Sequence, residues 1–276
     1  MKKRLKFNSG MLAAFILVLI IGGSLLAPVI APYSPTEINM ERRLQPPSRE
    51  HIFGTDALGR DMFSRILYGG YTSMFLALCA TLLSMLIGFV LGTLAGYYGG
   101  FLDWLITAIT NIFQGLPGTC LIVAIAGVLG PGIQNLLLAL VITSWAGFSR
   151  IVRTEVLKLR EEAYIEGMRC FGCGNLRLIV RHIFPNMLSS VIILFTMRVG
   201  RSVLAIAALS FLGLGVQPPT PDWSVMINDA RLHYRGAPHL IIAPGMALFL
   251  LLFAINMLGD YLRDRSDVRN CEVREY

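Results

Sequence analysis

Residues 161–174 read Glu-Glu-Ala-Tyr-Ile-Glu-Gly-Met-Arg-Cys-Phe-Gly-Cys-Gly, a polar stretch set between two long apolar runs. Tyr164, Ile165, Met168 and Phe171 return at steps of three and four residues, the period of an amphipathic helix. Gly172 or Gly174 supplies the left-handed turn that ends such a helix. A short helix with one apolar stripe either lies along a membrane surface or enters a groove on a partner protein. Its flanks give it its setting.

Upstream of this stretch lies the apolar run Ile133–Phe148, and downstream Leu188–Leu212. Further runs are Met11–Ala31, Met74–Gly96, Trp104–Leu129 (interrupted near Pro117) and Leu240–Leu258. Crossing the hydrocarbon takes about 20 residues. Ile133–Phe148 falls short, and gains length if its helix continues through Arg150 and Arg153, whose stems can snorkel to the interface. Composition agrees: 55% of residues are hydrophobic and 15% charged, against about 25% charged in soluble domains. Mean hydropathy is +0.63. The expected fold is all-α and polytopic, with six transmembrane helices.

The net charge of +7 does not point to nucleic acid, because the basic residues lie between apolar runs and form no aromatic-rich face. Lys2, Lys3, Arg4 and Lys6 precede the first run. That run is too long for a signal-peptide core, and Pro32 after Ala31 disfavours cleavage, so it reads as a retained span with the N-terminus inside. Six spans then put 150–187 on the cytoplasmic side, with Arg150, Arg153, Lys158, Arg160, Arg169, Arg177 and Arg181, and likewise the tail, with Arg263, Arg265, Arg269 and Arg274. The outer segment before the second span also holds arginines, so charge asymmetry is not clean there. The expected organisation is an anchor helix and outer segment (1–72), a core transmembrane domain (73–265) containing the loop 150–187, and a cytoplasmic tail (266–276).

Within the outer segment, Asp61 and Arg65 stand four apart in the acid-first order that suits a helical pair, which predicts a short amphipathic helix with a solvated face. Glycines 88, 92, 96 and 100 share one face of the second span, where another helix can approach closely. Catalytic patterns are missing: there is no GxxxxGK[ST], HExxH or GxSxG. The four histidines are scattered, and Cys170 and Cys173 form a lone CxxC. A structural zinc site needs four ligands, so no metal site is expected.

The loop resembles the EAA loop of ABC-importer permeases, whose pattern EAAxxxG is followed after nine residues by IxLP. Glu166, Gly172 and Pro185 match at that spacing, Gly167 and Met168 replace the two alanines, and His182 and Phe184 take the apolar positions. The variant Arg181-His182-Ile183-Phe184-Pro185-Asn186 is similar to dipeptide, oligopeptide and nickel permeases. So are Phe53-Gly54-Thr55-Asp56 with Gly59-Arg60-Asp61 and Ser64-Arg65, Leu209–Gly215, Pro218–Trp223, and Asn256 with Gly259-Asp260 and Leu262-Arg263-Asp264. The resemblance implies a type I importer fold and a non-catalytic subunit. Its partners would be a second homologous permease, two cytoplasmic ATPases that bind ATP and magnesium, and an extracytoplasmic solute-binding protein. Glu166, Gly167, Met168, Gly172 and Pro185 would form the coupling element.

Val225–Arg231, following the Pro-Pro-Thr-Pro-Asp-Trp stretch, looks more like the nickel permeases, which implies nickel or a nickel chelate as solute, with dipeptide or oligopeptide as the alternative. Arg198 and Arg201 lie near the middle of the fifth run, three apart on one helix face. An arginine at that depth costs about 2.5–3.5 kcal/mol on insertion scales, so it should face a wet path or a partner group. A positive path repels a bare divalent cation and suits a carboxylate-bearing solute. Asn111, Gln114 and Asn256, with Thr143 and Ser144, are further candidates for lining a path, and interhelical hydrogen bonding accounts for each equally well. An ATP-independent channel or secondary transporter would also have six spans, but leaves the loop unexplained.

Overall fold

The computed structural model describes residues 9–272, with side chains described through residue 265. Lys2, Lys3, Arg4, Lys6 and Arg274 lie outside the described residues, as do the side chains of Arg269 and Cys271. Helices dominate: α1 (Ser9–Leu25), α2 (Ala27–Ile30), α3 (Met62–Tyr98), α4 (Gly100–Gly115), α5 (Gly118–Leu129), α6 (Ile133–Arg160), α7 (Ala163–Cys170), α8 (Asn175–Leu178), α9 (Phe184–Phe211), α10 (Trp223–Ala230) and α11 (His239–Glu272). A π-helical stretch, Ile179–Ile183, joins α8 to α9.

Four helical segments are long and apolar enough to cross a membrane: Met62–Tyr98, Ile133–Arg160, Asn175–Phe211 and His239–Arg265. α4 and α5 meet the same test only as a pair, bent by 90° at the break. Pro117 sits in that break, where Leu116 takes an extended conformation, because a proline disfavours helical backbone in the residue before it. α1 is a further apolar helix of 17 residues. Together these are compatible with six spans. As anticipated, α6 runs well beyond Phe148, to Arg160.

α3 is the central post. Its most extensive partner is α6, and the reason lies in its glycines. A Cβ on Gly88 would stand 2.6 Å from Trp145 O, one on Gly92 2.8 Å from Val152 Cβ, and one on Gly96 2.9 Å from Val156 Cβ. Only hydrogen lets the two backbones come this close. Gly100 departs from the expected stripe: it has nothing within 4 Å and a φ of +59°, because it turns the chain between α3 and α4.

The segment before α3 also differs from expectation. Residues 51–61 form a loop with a single bridge, Thr55–Asp61, and no amphipathic helix. Asp61 does not pair with Arg65. It caps α3 by accepting from the Ser64 amide (2.7 Å), and it bonds His51 Nδ1 (2.8 Å). Arg65 donates to Pro35 O at 3.0 Å. This face is buried, with His51, Asp61 and Arg65 all below 5% exposed. The capping position outcompetes the i,i+4 pair because it satisfies an otherwise orphaned helix amide.

Candidate functional site

Two sets of residues stand out, one at the end of the bundle that carries α7 and one midway along α6 and α9, where the last turns of α4 meet α6. At the first, Glu162 precedes α7, Glu166 lies in its first turn, and Gly172 ends the turn after it with a φ of +77°. An acid in the first turn suits the positive end of a helix. Ile165 is fully buried and packs with Tyr97, Val152, Val156, Leu178, Ile183, Met187 and Val191 in a second apolar cluster. Met168 sits half-buried at its edge. Tyr164 is 43% exposed and Phe171 95%. The stripe read from the sequence is therefore split: Ile165 and Met168 fasten α7 to the bundle, while Tyr164 and Phe171 face outward, with Leu176 and Val180 exposed nearby.

Glu166 is exposed and Gly167 half-buried, with nothing within 4 Å of where a Cβ would stand on Gly167. Pro185 opens α9 directly after the π stretch. A proline has no amide to give to a carbonyl one turn earlier, so the regular ladder must be disturbed here. Asn186 Nδ2 donates to Tyr164 Oη (2.9 Å) and to His182 O (2.8 Å), tying α7 to the start of α9. Two residues that sequence reasoning did not single out belong to the same end. Tyr97 Oη donates to Asn175 Oδ1 at 2.9 Å, and Arg169 lies 5.7 Å over the Tyr97 ring. Their separation of 78 positions leaves no local signal.

In mid-bundle, Arg198 reaches from α9 across α6. Its guanidinium lies 5.4 Å over the Phe148 ring and covers Gly147. Among the described residues no carboxylate stands within 4.0 Å of it. On α4, Gln114 Nε2 donates to Ala146 O (3.0 Å), and Asn111 Oδ1 accepts from Arg150 Nη2 (3.0 Å). Asn111 and Gln114 thus meet the same stretch of α6 as Arg198. Arg201 is exposed, and Asn256 donates to Leu252 O at 2.9 Å within its own helix, beside Gly200. Thr143 likewise bonds back to Ala139 O.

At the opposite end, α10 seals the bundle against α3. Trp223 Nε1 donates to Ile66 O (2.8 Å) and rests on Gly69 and Gly70. A cavity of about 380 Å³ between α1, α3, α9 and α11 is lined by apolar side chains such as Leu17, Phe75, Phe195 and Leu251, with none of the polar candidates among them. A smaller one of about 280 Å³ is lined by Asp56, Arg60, Arg65 and Asp229. Arg60 holds Asp56 at 2.6 Å and reaches within 3.9 Å of Asp229. Burial pushes the Asp229 carboxyl up, while Arg60 and Arg65 draw it back down. No group of three or more potential metal ligands is found among the described residues.

Residues 88–269 match the family described as binding-protein-dependent transport system inner membrane component. The chain belongs to this family. Residues 3–47 additionally match the N-terminal transmembrane domain of oligopeptide transport permease C. A glutathione transport system permease protein of Escherichia coli O6:K15:H31 is 43% identical over 261 residues, covering 94% of this chain and 86% of that protein. A dipeptide transport system permease protein of Alkalihalophilus pseudofirmus is 41% identical over 256 residues, covering 93% of this chain and 83% of that protein. Among solved structures, the inward-facing MetNI methionine ABC transporter shares the fold, with a TM-score of 0.54 at 20% identity over 70% of this chain and 94% of that one. As a permease of an ABC importer the chain is a multi-pass inner-membrane protein whose family works with an ATPase and a binding protein. Nickel, the solute suggested by Val225–Arg231, finds no support in these relatives. Seven residues were too short a signal to fix a solute; six of them, Val225–Ala230, lie in α10, and Asp222 and Trp223 beside them are engaged in packing.

Proposed function

We propose that this chain forms half of the translocation pathway of a peptide importer, for short peptides with a free carboxylate, of the dipeptide or glutathione kind. The observation that carries the reading is Arg198: a guanidinium at mid-span, half-buried on Phe148, with no carboxylate partner among the described residues. A charge at that depth needs compensation, and a passing carboxylate supplies it through a charge-assisted hydrogen bond. Asn111 and Gln114 border the same route, with Arg201 and Asn256 further along it. The names of the relatives support peptides over nickel.

The loop 150–187 faces the cytoplasm in this reading, and both termini do too. α7 is the coupling helix, with Glu166, Gly167, Met168, Gly172 and Pro185 shaping it, and Tyr164 and Phe171 entering a groove on one of two ATPases, which bind the ATP and magnesium. Residues 1–72 anchor the chain and form its outer segment, and residues 73–265 are the permease core. A second homologous permease completes the pathway.

The test is reconstitution of the complex with its binding protein. ATP hydrolysis should rise with dipeptide- or glutathione-loaded binding protein. Stimulation by a nickel chelate alone would overturn the solute, and transport that persists without ATP would overturn the importer mechanism.

A further inference from the structure

We infer that Tyr97 is a positioning residue for energy coupling: through its hydroxyl bond to Asn175 it locks the loop around α7 onto the end of α3. The inference rests on the coupling role proposed above for α7.

Three elements converge on this one side chain and its backbone. Tyr97 Oη donates to Asn175 Oδ1 (2.9 Å) at the first residue of α8. Arg169, in the last turn of α7, lies over the ring at 5.7 Å. Arg160, the last residue of α6, donates from Nη1 to Tyr97 O (3.2 Å), capping one of the carbonyls that α3 leaves unpaired at its end. The ring itself is 5% exposed, inside the cluster that holds Ile165.

The rest of that attachment is apolar: Ile165, Leu178, Ile183, Met187 and Val191 meet Val152 and Val156. Apolar burial is strong but non-directional, so such a contact resists separation better than sliding. A push delivered to α7 along the membrane plane would be spent on sliding unless a directional bond opposes it. The Tyr97–Asn175 bond is directional, and it ends on α3, the post that carries α6 and α9. Through it, displacement of the loop becomes displacement of the bundle.

The experiment uses the complete complex of both permeases, ATPases and binding protein in proteoliposomes. Peptide uptake and ATP hydrolysis are measured on the same preparation. Tyr97→Phe keeps the ring, its burial and the Arg169 contact, and removes only the hydroxyl. Uptake per ATP hydrolysed should fall about three- to tenfold, the range set by one net hydrogen bond, with bound ATPase unchanged and Tm lowered by no more than that one bond accounts for. Asn175→Leu should give the same loss, Asn175→Asp should keep coupling because it retains the acceptor, and the Tyr97→Phe/Asn175→Leu double variant should be no worse than either single one. Normal uptake per ATP in Tyr97→Phe, additive losses in the double variant, or a loss matched by a fall in bound ATPase or by a melt at the assay temperature would each overturn the inference. A wild-type complex that retains no ATPase would sink the coupling role of α7 and this inference with it. A wild-type complex that couples beside a Tyr97→Phe complex that couples equally well overturns the inference alone.

Discussion

Ser73 Oγ donates a 2.7 Å hydrogen bond to Asp222 Oδ2, joining residues 149 positions apart across the seam between α3 and α10. The same carboxylate caps α10, with Oδ1 accepting from the amides of Ser224 (3.0 Å) and Val225 (3.2 Å). Asp222 is completely buried, and that burial pushes its carboxyl up against the pull of these hydrogen bonds.

Stability should therefore depend on pH through Asp222. A carboxyl raised in the folded state holds its proton more tightly there than in the unfolded chain. Its contribution is full below the ordinary carboxylate value and is lost as pH climbs through the raised folded one. Asp222→Asn keeps a side-chain oxygen for the caps and removes the titration. Thermal melts in detergent from acid to neutral pH should fall more steeply for the wild type than for the variant, and parallel curves would show that this carboxyl does not titrate in that window.

Gly92→Ala should destabilise by about 1–3 kcal/mol, as overpacking does, because the new Cβ would meet Val152 Cβ at 2.8 Å and press on the Ser149 carbonyl. Gly127→Ala, with nothing within 4 Å, is the matched control. Melting temperatures of the two variants should separate clearly, with Gly127→Ala close to the wild type.

Arg198→Leu should insert and assemble normally yet lower peptide uptake about 10- to 100-fold, the range for losing a hydrogen bond to a charged group. Arg198→Lys should recover part of it, since the charge stays while the planar donor fork goes. Undiminished uptake by the leucine variant would remove Arg198 from the pathway.

Phe171 and Ile165 should part company although Phe171 directly follows the short helix that carries Ile165. Ile165→Ala removes a fully buried side chain and should cost about 2–4 kcal/mol. Phe171→Ala touches a ring that is 95% exposed, so Tm should hold while co-purified ATPase is lost. Retention of the ATPase by Phe171→Ala would mean that another surface does the docking.

Much of this architecture was legible because hydrocarbon imposes long apolar runs, and runs survive in the sequence without any knowledge of packing. The break at Pro117 and the continuation of α6 through Arg150 and Arg153 were both readable this way, though not its end at Arg160. The helix at 163–170 was readable from its period, but which apolar residues faced inward was not, since Ile165 and Phe171 look alike until a partner surface is placed beneath one of them. Asp61 and Arg65 misled because the four-residue spacing is also that of a cap and the first helical turn it serves. Tyr97 gave no warning, as its partner Asn175 is remote in sequence and ordinary in composition. Val225–Arg231 pointed to nickel, which the relatives do not support, and its neighbours Asp222 and Trp223 are spent on holding α10 to α3.

The right-angled break between α4 and α5 has a mechanical corollary. Two extended residues, Leu116 and Pro117, separate the helices, so this part of the bundle is a pair of short rods joined at an elbow rather than one beam. An elbow carries no bending moment. Both rods rest on α6, so each takes its position from that helix and not from a shared axis with the other.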